Sequence, residues 1–330
     1  MHRVLIAFAA TLVLGCAGTY GGPPKNVTPP HGGIELAALP YEVLDARTGR
    51  QLDRAAFWTS LGKARAICIG EDHTNPHHHW VQLEIVKQLG QRRQGAPLAL
   101  SLEMIQRPFQ GVLDDYAAKR IDAAALRSRV GWEERWGYDW GFYGPTLDAA
   151  IGAGAKLLAA NAARELTKKV VRKGLDALTP EERAQVPELV LDDVDHRAWF
   201  DALMEGMGGS NAHSQPKDEH VPAAPANPHE GAVPEMPSAD RIYTVQVIWD
   251  ETMADVTAKW LAANPTGQAI VLAGNGHCHD SAIVKRLERR GVGDVVSVRP
   301  VIDSDGGVAE ALVKPMNDFV VVLQMPASTK

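Results

Sequence analysis

Six short apolar runs recur along the chain, at residues 65–69, 98–102, 156–160, 269–273, 295–298 and 319–323. None shows the polar alternation of a half-exposed strand, so each reads as a strand buried on both faces, and the helical patterns between them read as crossovers. The expected fold class is α/β, a mostly parallel sheet flanked by helices. Helix starts are well marked. Asn75 can cap a helix with Pro76 at its first position, and Thr179-Pro180-Glu181-Glu182 reads as a capping box with proline where its missing N–H is harmless. Between the third and fourth runs lie helical stretches near 164–173, 180–186 and 192–205 and no strand pattern, more chain than one crossover needs. This predicts a smaller helical insertion domain over about 162–245, followed by a helix over 246–263. Within the insertion, 206–239 is rich in Gly, Pro, Ser, Asn and His with six prolines and no apolar periodicity, so a disordered loop is expected there. Its His213, His220 and His229 read as low-complexity filler before they read as a haem- or metal-scavenging flap.

The N-terminus changes the picture of where such a domain works. Arg3 precedes an apolar run over 4–14 that is too short to span a bilayer and fits a secretory signal, and Val13-Leu14-Gly15-Cys16 closes it as a lipoprotein cleavage site. The expected organisation is a signal peptide over 1–15, acyl chains on Cys16, a Gly/Pro-rich flexible tether over 16–34 and an α/β domain over 35–330. Ala17, where Asp would favour inner-membrane retention, points to the outer membrane, facing the periplasm. The net charge of −6 and the lack of a basic stretch argue against a nucleic-acid partner. Lys168-Lys169 and Arg289-Arg290 read as solvated helix faces. Two further cysteines are too few for a disulfide framework, although a single bridge stays open; Cys68 reads as a small buried hydrophobe, and Cys278 as that or a haem or metal ligand.

The chemistry concentrates after the strands. The first run ends in Gly70-Glu71-Asp72-His73, the second in Glu103, the third in Asn161 and the fourth in Gly274-Asn275-Gly276-His277. In a parallel sheet these positions share the carboxyl edge, where α/β folds bind ligands. Imidazoles and carboxylates gathered there can ligate a divalent metal, run acid–base chemistry or hold a haem, and they can also merely satisfy strand ends. Of His77-His78-His79 at the start of the Pro76 helix, at most two can face such a cleft, with His78 and His79 the candidates. Residues 132–143 hold six aromatics, including Tyr138 and Tyr143, and fit either an aromatic wall over the cleft or a core patch beneath the insertion.

These motifs resemble the ChaN family of haem-binding, iron-regulated lipoproteins, within the haem-uptake and Tiki superfamily. The matching pieces are Gly70-Glu71-Asp72-His73-Thr74-Asn75-Pro76 with His78, His79 and Gln82; Leu102-Glu103-Met104 with Gln110; Asn161 with Arg164; Gln246 with Trp249-Asp250-Glu251-Thr252-Met253-Ala254; and Gly274-Asn275-Gly276-His277. The resemblance implies a parallel-sheet domain with a smaller helical domain, and a homodimer that buries two stacked haems through a tyrosine with histidine help from the partner. Tyr138 and Tyr143 are the axial candidates, with Tyr243 behind them. Glu71, His73, His78, His79, Glu103, Arg107, Asn161, Asn275 and His277 are the ligand-binding candidates. The long loop before Tyr243 departs from the family. The superfamily also holds Tiki-type metalloproteases and is similar to erythromycin esterases, which use Gly-x-x-His pairs and a glutamate. A metal-dependent hydrolase is therefore the alternative, with His73, Glu103 and His277 holding a divalent metal or activating water, Glu71 as base, and Arg107 or Asn275 stabilising charge.

Overall fold

The computed structural model describes residues 32–92, 95–206 and 237–326; the expected signal peptide, nearly all of the expected tether, and residues 207–236 of the Gly/Pro/His loop lie outside them. Eight strands form one sheet: β1 (Tyr41–Asp45), β2 (Gln51–Leu52), β3 (Ala66–Ile69), β4 (Leu98–Gln106), β5 (Lys156–Asn161), β6 (Gln268–Leu272), β7 (Val295–Ile302) and β8 (Phe319–Leu323). Their order is β2-β1-β8-β7-β3-β6-β4-β5. The six strands predicted from apolar runs are all present and pair in parallel. β1 and β2 were not expected; they add an antiparallel edge, β1 against β8 and β2 against β1.

The helices are α1 (Arg54–Lys63), α2 (Pro76–Arg92), α3 (Gln110–Ala117), α4 (Ala123–Val130), α5 (Trp132–Arg135), α6 (Gly144–Gly152), α7 (Arg164–Lys173), α8 (Pro180–Arg183), α9 (Val194–Gly206), α10 (Ala239–Ala263), α11 (Lys285–Arg289) and α12 (Gly307–Val313). Asn75 caps α2, its Oδ1 accepting the His77 and His78 N–H groups, and Thr179 with Glu182 forms the full capping box of α8. The α10 helix runs seven residues further toward the N-terminus than its apolar pattern suggests, because Ser238 caps it.

Strand alternation divides the interior. Ile67, Ile69, Leu100 and Leu102 pack on one face with Val81 and Leu83 of α2, Leu147 of α6 and the aromatics of 132–143. Ala66, Cys68, Ala99 and Val271 pack on the other with Val245, Met253 and Leu261 of α10 and Leu287 of α11. A disulfide joins Cys68 to Cys278, both fully buried. The two cysteines are therefore bridged, which corrects the expectation of a lone buried hydrophobe at Cys68; the partner strands β3 and β6 bring them together across 210 residues of sequence. No helix among the described residues is long and apolar enough to cross a membrane.

Candidate functional site

β3 and β6 lie side by side at the centre of the sheet, so the two glycine turns that follow them emerge together. Asn275 N–H donates to the Glu71 carbonyl (2.8 Å), tying the turns to each other. Each glycine there has a packing reason. A methyl on Gly70 would lie 2.2 Å from Asn275 Oδ1, and one on Gly274 would lie 3.0 Å from His73 Cε1 and 3.8 Å from Glu103 Oε2. His73 and Glu103 thus close over the second turn because no side chain intervenes.

Around Glu71 the groups are arranged as charge and counter-charge. Its Oε1 accepts hydrogen bonds from His73 Nδ1 (2.7 Å) and from the Tyr143 hydroxyl (2.8 Å), and its Oε2 faces His79 Nδ1 at 3.3 Å. The His79 ring meets acceptors on both sides: the His73 carbonyl at Nε2 (3.2 Å), and Gln82 Oε1 (3.3 Å) with Glu71 at Nδ1. Gln82 cannot reverse its amide without losing its bond to the Ile69 carbonyl. The His79 ring is stacked flat on Phe142 at 4.8 Å with its Nδ1 turned to the Glu71 carboxylate. Burial pushes the Glu71 carboxyl up, but the His79 charge and the His73 and Tyr143 hydrogen bonds outweigh it and hold it down to about 2. Burial, with the adjacent carboxylate, raises the Tyr143 phenol far above its ordinary value. His78 behaves differently. Its Nδ1 accepts the Asp72 N–H (3.0 Å), and burial depresses its ring to about 3, so it is neutral.

A second dyad stands beyond Glu103. His277 Nδ1 lies 2.6 Å from Asp250 Oδ1 while its Nε2 lies 3.3 Å from Glu103 Oε1, and Glu103 Oε2 accepts the Gly274 N–H at 2.7 Å. Asp250 sits fully buried on α10, beside His196 (3.2 Å) and Arg286 (3.7 Å). Burial raises its carboxyl, and the charges of Arg286 and His277 more than reverse this, so its pKa is lowered. Two carboxylate–imidazole pairs, Glu71–His73 and Asp250–His277, thus flank Glu103. Among the described residues no group of three or more His, Cys, Asp or Glu side chains is arranged to hold a metal ion. Nδ1 of both His73 and His277 is turned to its own carboxylate.

Other candidates stand apart from this centre. Asn161 secures the sheet edge, donating to the Glu103 carbonyl (2.9 Å) and accepting the Ala162 N–H. Asn275 Oδ1 is buried without a hydrogen-bond partner among the described residues. Arg107 reaches the Gln185 carbonyl (2.8 Å), over a separate cleft. The aromatic segment is both wall and core: Tyr138 and Trp136 each pack on the His73 ring with centroids at 4.8 Å, while Trp132, Phe142 and Tyr143 are fully buried. Tyr243 belongs to another cluster, with His196 and Phe200. Asp250 and His196 were missed as site residues. An Asp-Glu pair amid the apolar residues of one helix was the available signal for the first, whereas nothing in the α9 sequence marks His196. Arg289 and Arg290, expected as solvated, instead converge with Arg286 on the buried Glu251, whose charge would be costly in the interior if left unpaired.

The fold is similar to that of the ChaN of Campylobacter jejuni, a structure described for cofacial haem binding, at 20% identity and a TM-score of 0.61, covering 86% of this chain and 97% of that one. It is more distantly similar to an erythromycin esterase mutant in its open conformation, at 14% identity and a TM-score of 0.37, covering 79% of this chain and 77% of that one. A curated relative, the chloroplastic protein RETICULATA-RELATED 5 of Arabidopsis thaliana, is 26% identical over 68% of this chain, which spans only 29% of that protein's length. The family model described as haem-binding uptake, Tiki superfamily, ChaN, matches residues 57–287, a span that holds both dyads, the aromatic wall and the central strands, and the chain belongs to that family.

Proposed function

We propose that this protein binds haem in the cell envelope and serves haem or iron uptake there, with Tyr138 as the axial ligand. The observation that carries this reading is the patch where Tyr138 and Trp136 meet the His73 ring, each at 4.8 Å, beside the buried anion Glu71. Aromatic faces and an imidazole suit a flat macrocycle, and a phenol suits ferric iron, which lowers the phenol's pKa by binding its oxygen. Of the two axial candidates Tyr143 fits poorly, since its proton is held on Glu71 and burial opposes its ionisation. His73 would stand beside the haem, oriented by Glu71. Bound haem would supply the iron that is the cargo of uptake.

The rest of the reading follows the family and the N-terminal sequence: acyl chains on Cys16, an outer-membrane location facing the periplasm, and a homodimer formed on haem binding. The buried Cys68–Cys278 disulfide supports export to an oxidising compartment. Haemin titrated into the purified chain should give a saturable Soret change, weakened at least tenfold by Tyr138→Phe and little altered by Tyr143→Phe. Absence of saturable binding by the unaltered chain would end the reading. Size-exclusion chromatography with and without haemin tests the dimer, and loss of acyl labelling in Cys16→Ser tests the anchor.

The two dyads flanking Glu103 favour a second reading, hydrolysis of an ester or peptide bond. In it Glu71 orients His73 as base, Asp250 orients His277, and a divalent metal could join them only after rearrangement. Turnover of a model ester lost in both His73→Ala and Glu103→Ala would favour it over transport.

A further inference from the structure

A cleft of about 380 Å³ opens at the carboxyl edge of the sheet, beside β4 and β5, where the helical insertion leans on α10. Its walls are Ala162, Ala163, Leu166, Val186 and Ile248, all apolar, and Arg107 stands among its lining. Neither dyad contributes a lining residue. The structure assigns to this cleft a small amphiphilic carboxylate, its apolar body among these walls and its anionic head on Arg107.

Three observations lead there. The first is charge. Arg107 gives one N–H to the Gln185 carbonyl (2.8 Å), and among the described residues no carboxylate lies within ion-pair distance of it. A guanidinium has five N–H donors in a planar fork that matches a carboxylate, so most of its capacity and all of its charge remain for a ligand. The second is polarity. Thr252 Oγ1 already donates to the Ile248 carbonyl (2.6 Å), and Gln185 Nε2 to the Glu181 carbonyl (3.3 Å). These two donors are therefore engaged within the chain, and an alkyl chain would lie against the apolar walls beside them. The third is size. The volume corresponds to about a dozen waters, hence to a ligand of roughly ten non-hydrogen atoms, well short of a porphyrin. A medium-chain fatty acid such as octanoate meets all three conditions. The contact between Arg107 and Gln185 also means that the cation which would receive the head group already fastens the insertion, so occupancy should stiffen that junction.

This proposal does not rest on the haem reading, and the test separates them. Octanoate, octanol and acetate are titrated calorimetrically into the full chain, followed by Arg107→Gln and Ala163→Phe, with circular dichroism and haemin binding measured on each. Octanoate should bind saturably at one site, and octanol and acetate at least tenfold more weakly. Arg107→Gln should weaken octanoate at least tenfold, and Ala163→Phe should abolish it by filling the cleft. Both variants should keep the native spectrum and the haemin response of the parent. Equal affinity for octanol and octanoate, unchanged octanoate binding in either folded variant, or no saturable binding at millimolar octanoate would each overturn the proposal.

Discussion

Glu71 is a fully buried anion whose hydrogen bonds from His73 and Tyr143 and pairing with His79 make it the electrostatic anchor of the β3 turn. Glu71→Gln removes the buried carboxylate that accepts from His73 and Tyr143 and faces His79, which should destabilise the protein by about 3–5 kcal/mol. Tyr143→Phe loses one hydrogen bond to a charged group and should cost about 1.5–3 kcal/mol. Urea unfolding at neutral pH measures both, and a Glu71→Gln variant as stable as its parent would show that the carboxylate is not the anchor. Gly70 tests the same turn by shape. Its added methyl would strike Asn275 Oδ1 at 2.2 Å with the Asn275 Cα 3.4 Å away, so Gly70→Ala should displace the second turn and cost about 1–3 kcal/mol. Chemical shifts of Asn275 and His277 would move with it; an unmoved spectrum would mean that Asn275 simply turns aside. Glu71, His73, Glu103 and His277 were legible because each follows an apolar run with little chain between. Their pairing was not, since which carboxylate orients which imidazole depends on side-chain directions that spacing does not encode.

At the scale of elements, the disulfide ties the centre of β3 to the turn that carries His277. It closes a loop of 210 residues, and removing it frees the unfolded chain of a constraint worth up to about 5 kcal/mol on the loop-entropy model. A Cys68→Ala, Cys278→Ala double variant should therefore lose about 2–5 kcal/mol of stability in urea. Because Asn275 still binds the Glu71 carbonyl and β3 still pairs with β6, the fold itself should survive, as native circular dichroism would confirm. Unchanged stability would mean that the unfolded chain is already compact enough to make the bridge redundant. The bridge was hidden in the sequence because partners so far apart meet only once the strand order is known, and the order β3-β6 follows from crossovers rather than from local pattern. The six parallel strands were readable for the opposite reason: burial on both faces leaves unbroken apolar runs. β1 was missed because Tyr41-Glu42-Val43-Leu44-Asp45 buries only Val43, and β2 because two residues carry no period. The cap residues Asn75 and Thr179 were readable, being local chemistry.

For the whole molecule, the buried histidines set the response to acid. Burial depresses His78 and His279 to about 3, from ordinary values near 6.5. The folded state thus resists protons that the unfolded chain accepts, and stability must rise with pH wherever the unfolded chain binds more of them. The contribution is complete above about pH 6.5 and is lost as pH falls toward 3. Glu71, depressed to about 2 from 4.5, works in the same direction lower down: its stabilisation is present above 4.5 and disappears as pH falls through 2. Loss of stability should consequently begin near pH 6.5, before most carboxylates titrate. With both histidines engaged, their slope should approach about 3 kcal/mol per pH unit between 6 and 4, two protons at 1.36 kcal/mol each, while Asp280, raised by burial to about 6, takes up a proton first in the folded state and offsets about half of it, leaving about 1.4 kcal/mol per pH unit net. Urea midpoints measured across pH 3–8 give this slope directly. His279→Asn should remove most of this net slope, since an amide takes up no proton in either state and the contributions of His78 and Asp280 then offset each other. A flat stability profile from pH 7 to 5, or a His279→Asn variant with the parent's slope, would show that acid opens the structure locally and lets water reach these rings before the chain unfolds.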